Sequence, residues 1–230
     1  MRRFSALIFD VDGTLAETEE IHRRAFNEAF ASFKLDWNWS PLRYRQLLVV
    51  TGGKERLRFF ANSRQNMGRR LSEDEIVELH RFKTARFGQL VAGGACALRP
   101  GVAVALSTAV RRGQRLAIAT TTSRPNVDAL LSVTMGHGAA VLFDAIVAGD
   151  EVPRKKPAPD VYLKALDLLG LSAGDCLAIE DSRNGLLSAS AAGLPVLITR
   201  SAYFGDDDVT GARAVVDSLE DLKDFGLFDL

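Results

Sequence analysis

The chain has 230 residues of which 47% are apolar, enough for one large buried core or a core carrying a smaller insertion. Lysine plus arginine equals aspartate plus glutamate at 29 each, which argues against nucleic acid or a charged membrane surface as partner. The two cysteines, Cys96 and Cys176, stand outside any CxxC pair, no apolar run approaches the ~20 residues of a membrane span, and the run after Arg2-Arg3 is too short for a signal peptide, so a cytoplasmic protein is expected.

The first element is an apolar strand, Ala6-Leu7-Ile8-Phe9, followed directly by Asp10-Val11-Asp12-Gly13-Thr14-Leu15. Ligands of parallel α/β sheets gather beyond the carboxyl ends of the strands, so Asp10 and Asp12 are expected in a cleft. Residues two apart share one side of a strand, and Gly13 permits a tight turn with exposed amides. One carboxylate then serves as nucleophile or metal ligand while the other moves a proton. A plain turn is the competing reading; a calcium loop is set aside because the oxygen ligands that should follow are missing.

From Glu17 to Phe33 the apolar positions Ile21, Ala25, Phe26, Ala29, Phe30 and Phe33 recur at helical spacing. Glu17, just after the turn, either meets sugar hydroxyls at the cleft mouth or serves only the helix dipole, and His22 is read as surface or packing. Between Leu42 and Leu71 eight basic residues (Arg43, Arg45, Lys54, Arg56, Arg58, Arg64, Arg69, Arg70) face one acid, Glu55, whereas Asp144 onward holds eight basic and sixteen acidic residues. Ser72-Glu73-Asp74-Glu75 has the form of a capping box, opening a long helix through Ile76, Leu79, Phe82, Phe87 and Leu90. No strand is expected between Glu17 and Leu98, so residues 16–94 read as an α-helical insertion ending at Gly93-Gly94, with 1–15 and 95–230 as the core. His80 is read as structural and His137, between two glycines, as loop.

The remainder alternates helices with short apolar strands: Val102 to Arg112, Leu116 to Ala119, Val127 to Met135, Ala145 to Val147, Val161 to Leu169, Cys176 to Ile179, Gly185 to Ala192, Val196 to Ile198, and Ala214 to Val216. This implies right-handed crossovers and a doubly wound, Rossmann-like parallel sheet. Tyr203 to Asp208 reads as a solvated loop. The strand ends are polar. Thr120-Thr121-Thr122-Ser123 meets a helix start at Pro125 and outlines an anion site, with capping by Ser123 as the simpler alternative. Lys156, biased to an extended conformation by Pro157, is either solvated or reaches inward as a fixed positive charge, and Glu180-Asp181 offers hard oxygen ligands suited to Mg²⁺, or else a helix cap.

In this order the strand ends resemble the haloacid dehalogenase superfamily over nearly the whole chain: Asp10-Val11-Asp12-Gly13-Thr14 is similar to its first motif, Thr120 to the second, Lys156 to the third and Glu180-Asp181 to the fourth. The helical insertion resembles the family's small helical cap. Thr51-Gly52-Gly53-Lys54-Glu55-Arg56 and Arg154-Lys155-Lys156-Pro157-Ala158-Pro159 resemble the CbbY-like phosphatases. The resemblance implies an aspartyl-phosphate on Asp10, with Asp12 as proton donor and then base. It implies Mg²⁺ held by Asp10, the Asp12 carbonyl and Asp181, with Glu180 as ligand or as holder of metal-bound water. The implied substrate is a sugar bisphosphate, notably xylulose 1,5-bisphosphate, an inhibitor of Rubisco. Its second phosphate is expected against Lys54, Arg64 or Arg69 of the cap, with Gly53, Thr121 and Thr122 as further substrate-binding residues, in a monomer acting on a small molecule. A phosphomutase of the β-phosphoglucomutase kind shares all four motifs and stays open, as does a non-catalytic sugar-phosphate sensor.

Overall fold

The computed structural model describes residues 4–63 and 70–222. Six strands form one fully parallel sheet: β1 Ala6–Phe9, β2 Arg115–Ala119, β3 Ala145–Val147, β4 Cys176–Glu180, β5 Val196–Thr199 and β6 Ala214–Val216, in the order β3-β2-β1-β4-β5-β6. β1 is central because all four of its residues are fully buried, as expected of a strand covered on both faces. Side-chain alternation sorts its neighbours: Leu7 and Phe9 with Leu116, Ile118, Leu177 and Ile179 form one face, and Ala6 and Ile8 with Ala117, Ala119, Ala178 and Ile198 the other.

Helices α1 Glu19–Ser32, α2 Pro41–Leu47, α3 Gly53–Ala61 and α4 Glu73–Ala92 precede β2, and α5 Val102–Arg111 leads into it. Then α6 Arg124–Met135 follows β2, α7 Asp160–Leu169 follows β3, and α8 Arg183–Ala191 follows β4. α5 and α6 cover the bulkier sheet face, α7 and α8 the smaller one. The expected elements all occur, with boundaries moved by one to three residues. Among its described residues the 16–94 block holds four separate helices, of which the short α2 and α3 had no periodicity long enough to read; α2 opens on Pro41 behind the Ser40 cap.

This insertion has its own core, an aromatic cluster of Phe26, Phe30, Trp37, Trp39, Tyr44 and Phe60 with ring centroids 4.8–6.3 Å apart. Its two connections to the sheet lie side by side: Ala16 and Leu98 form an antiparallel bridge, and Arg99 N donates to Leu15 O at 2.8 Å. Ser72 and Glu75 make the expected capping box. Two expectations change. Tyr203 and Phe204 are half-buried against the insertion's core rather than solvated, with the Tyr203 hydroxyl donating to Glu20 at 2.8 Å. Ser123 precedes α6 without a side-chain capping bond, whereas Ser182 does cap α8 through Gly185 N. No helix among the described residues is long and apolar enough to cross a membrane.

Candidate active site

The parallel register sets the site. Phe9 is level with Ile118 on one side and Ile179 on the other, so the chain leaves the sheet at Asp10, Ala119 and Glu180 together. Asp10 continues the alternation of Ala6 and Ile8 toward the α7 side, the side from which Lys156 arrives. The Lys156 ammonium donates to Asp10 Oδ1 and Glu180 Oε1, each at 2.6 Å, and to Ala119 O at 2.9 Å. Glu180 Oε1 also accepts from the Tyr162 hydroxyl at 2.6 Å and its Oε2 from Asp181 N at 3.2 Å. Asp10, Glu180 and Asp181 each bring a carboxylate oxygen within 4.8 Å of the others, all buried.

These charges are unbalanced. Burial pushes the Asp10 carboxyl up to about 7 against the pull of Lys156, with Glu180 and Asp12 adding to the rise, and burial with the Asp10 charge drives Asp181 well above the usual carboxylate range. Lys156, despite its burial, is held protonated by Asp10 and Glu180. Asp181 Oδ2 is buried without a partner among the described residues, and a Cβ at Gly13, which has φ +80°, would overlap the Asp181 carboxylate. An orphaned oxygen facing a glycine cradle within a cluster of three acids fits a hard divalent cation. Asp10 and Asp181 would hold it. Both Glu180 oxygens are already bonded and its carboxylate lies against Gly185, which suits an orienting role.

The Asp12 side chain is directed elsewhere and does not join the three converging acids. Its Oδ1 accepts from the Thr18 hydroxyl at 2.5 Å and from His22 Nε2 at 3.1 Å; His22 Nδ1 faces the Lys83 ammonium at 2.8 Å. Burial would raise Asp12, yet these donors hold it at about 2. Burial and Lys83 press His22 down to about 4, so the ring is neutral, accepting at Nδ1 and donating through Nε2. Burial takes Lys83 down to about 7, with its ammonium over the rings of Phe26 and Phe87. Lys83→Met removes the donor that fixes the His22 tautomer while filling the same apolar slot. It is expected to lower kcat about 10- to 100-fold, the scale for losing an orienting partner, with little change in Tm; steady-state kinetics beside a thermal melt checks this.

Two adjoining cavities lie between sheet and insertion. The smaller, about 50 Å³, is walled by Asp10, Lys156, Asp181 and Phe204 among others, and the larger, about 240 Å³, by Gly53, Lys54, Arg81 and Lys155. Asp12, Glu19, Arg56 and Thr121 line both. Thr122 and Ser123 line the larger one, whereas Thr120 is fully buried beneath, its hydroxyl accepting from Thr122 N at 3.3 Å. Glu17 is not brought to the cleft: it pairs with Arg99 Nε at 3.2 Å and accepts from Ala202 N, beside the connections to the insertion. Arg64 and Arg69 lie outside the described residues. Within the basic stretch Arg45 turns to Asp206 and Arg58 to Glu73, and Lys54 and Arg56 are its described contributors to the cavities.

Lys83, Glu19 and Arg81 were not singled out from the sequence, and His22, read there as surface or packing, is buried in the cleft wall against Asp12. Lys83 did carry a signal: in the stripe Ile76, Leu79, Lys83, Phe87, Leu90 it is the lone charge in an apolar face.

Residues 4–193 match the family model of haloacid dehalogenase-like hydrolases. The chain is 56% identical to Protein CbbY of Rhodobacter capsulatus over 90% of each, and 48% identical to that of Cereibacter sphaeroides over 98% of this chain and 96% of that one. Its fold superposes with a TM-score of 0.93 and 47% identity, over 99% of this chain and 100% of that one, on the crystal structure of a D10N mutant of CbbY from Rhodobacter sphaeroides in complex with xylulose-(1,5)bisphosphate.

Proposed function

Because the chain belongs to the haloacid dehalogenase-like hydrolases, we propose that it is a Mg²⁺-dependent phosphatase that hydrolyses a small sugar bisphosphate, xylulose 1,5-bisphosphate being the best candidate, through an aspartyl-phosphate on Asp10. The observation that carries the reading is the convergence of Asp10, Lys156 and the Asp181 oxygen at the end of the smaller cavity, with Asp12 poised beside them. Asp10 attacks phosphorus while Lys156 balances the charge of its carboxylate and of the arriving ester. When bound, Mg²⁺ would neutralise charge on the transferring phosphoryl group. Asp12, held by Thr18 and His22, is ionised in the free cleft; the proton it passes to the departing alkoxide is one it takes up as the charged ester arrives beside it, and it then takes a proton from the water that cleaves the acyl phosphate.

The second phosphate belongs in the larger cavity, where Lys54 and Lys155 face the residues leading into α6, Thr121 to Ser123, and Gly53 opens the cap wall. Phosphate release from a panel of sugar mono- and bisphosphates, with and without Mg²⁺, tests the reading. Preferential release from xylulose 1,5-bisphosphate sustains it, and conversion of one sugar phosphate into another without release replaces it with the mutase.

Metal and protons compete for the same oxygens. Asp10 and Asp181 have raised carboxyls, so the folded state holds protons that the unfolded chain has lost above about pH 4; that stabilisation is spent as pH rises through about 7. A cation takes the protons' place above that. The increase in Tm on adding Mg²⁺ in place of EDTA is therefore expected to be small at pH 6 and larger at pH 8; an increase that shrinks with pH counts against a metal at these carboxylates.

A further inference from the structure

Glu19 and Arg56 line both cavities and so stand where the catalytic end opens into the larger one. Glu19 is 8% exposed and bound on one side only: its Oε2 accepts from the Tyr44 hydroxyl at 2.8 Å, and that hydroxyl accepts from Arg56 at 3.0 Å. Arg56 Nε donates to Leu47 O at 3.2 Å. Arg56 Nη1 and Nε are thus held by the cap's own hydroxyl and carbonyl. Glu19 Oε1 has no partner among the described residues, and it is not one of the sealed polar atoms, so it reaches the cavity. Tyr44 is fully buried in the aromatic cluster, which fixes the Glu19 carboxyl in place.

The charge along the cleft alternates as a result. Lys156 lies at the catalytic end, Asp12 and Glu19 in the middle, and Lys54 and Lys155 at the far end. Burial already strains the Glu19 charge, pushing its carboxyl up to about 7 with Asp12 adding to the rise. A second carboxylate brought to this stretch meets Asp12 and Glu19, on whose charges Arg56 and Lys83 already act, whereas a hydroxyl finds an acceptor.

We propose that Glu19 is the specificity residue of this site, its Oε1 accepting a hydrogen bond from a substrate hydroxyl near the scissile ester, so that the cleft takes phosphate esters of polyols and rejects those bearing a carboxylate there. The proposal rests on the phosphatase reading for its orientation of substrate. Tyr44 and Arg56 are positioning residues that act through Glu19.

The test is binding in the Asp10→Asn background, where turnover does not intervene. Affinities for xylulose 1,5-bisphosphate and for 2-phosphoglycolate, with Mg²⁺ present, are compared between Asp10→Asn and Asp10→Asn/Glu19→Gln by calorimetry. Glutamine keeps the volume and the acceptor for Tyr44 but removes the charge. The expected result is about a 10- to 100-fold loss for the bisphosphate, the scale of a hydrogen bond to a charged group, with phosphoglycolate binding unchanged or tighter. Tyr44→Phe in the same background, which unpins Glu19 and frees Arg56, moves the ratio the same way by a smaller factor and stands in if the glutamine variant fails to fold. Equal losses for both ligands, or no change in either, overturn the proposal. Phosphate release by the wild-type protein is measured separately: its absence sinks the phosphatase reading, while the two affinities still decide Glu19.

Discussion

Asp10→Asn is expected to abolish phosphate release, lowering kcat by a factor on the order of 10⁴ or more, the scale seen when a covalent mechanism loses its nucleophile. The amide lacks the charge and the lone-pair basicity to attack phosphorus, yet its oxygen still accepts from Lys156, so the packing of the site is retained. Substituting Asn also removes a carboxylate that burial holds up at about 7, and the metal-free variant should melt no lower than the wild type. Single-turnover phosphate release together with a thermal melt checks both halves. Undiminished release at unchanged stability would move the nucleophile away from Asp10, and with it the covalent mechanism.

Lys156→Met carries the largest expected effect on stability. The lysine is 4% exposed and is the one cation bonded to the cluster of Asp10, Glu180 and Asp181 among the described residues. Removing one partner of a buried ion pair leaves uncompensated charge and costs about 3–5 kcal/mol, a fall in Tm on the order of 10 °C for a chain of this size. The deficit has a defined pH dependence. Without the ammonium, Asp10 and Asp181 rise further above their unfolded values, and the folded state is relieved by taking up protons. Urea midpoints should therefore differ most between variant and wild type near pH 8 and converge toward pH 5. A constant difference would mean that lost packing against Tyr162, whose ring lies 5.1 Å from the ammonium, matters more than charge.

What was legible in the sequence is what one local segment encodes. β1 is continuous in apolar residues and ends in two acids, so strand, cleft and acids could be read together. The same holds at Lys156 and at Glu180-Asp181, because a parallel sheet brings strand ends together whatever the loops do. The capping box of Ser72 and Glu75 was equally local. Illegible were contacts made across the insertion. Glu17 and Glu19 are two residues apart at the start of α1, and only the winding of the helix decides that Glu19 enters the cavities while Glu17 pairs with Arg99. The Asp12–His22–Lys83 chain joins residues up to 71 positions apart, and Thr121 rather than Thr120 reaches the cleft because Thr120 still follows the pleat of β2. The excess of basic residues in the cap misled in detail: Arg45 and Arg58 serve ion pairs with Asp206 and Glu73 rather than the cleft.

The bridge between Ala16 and Leu98 has a consequence for how such chains diversify. Because the outgoing and returning segments are adjacent and hydrogen-bonded before the helices begin, the span the insertion must close is the same whatever its length, and the entropic penalty grows only slowly with added residues. The sheet with its acids and lysine can be inherited unchanged while the helices between residues 16 and 98 are lengthened, shortened or exchanged. A deletion joining the two sides of that bridge is accordingly expected to leave a folded sheet that has lost Glu19, His22, Lys54 and Arg56 together, a catalytic floor without a lock.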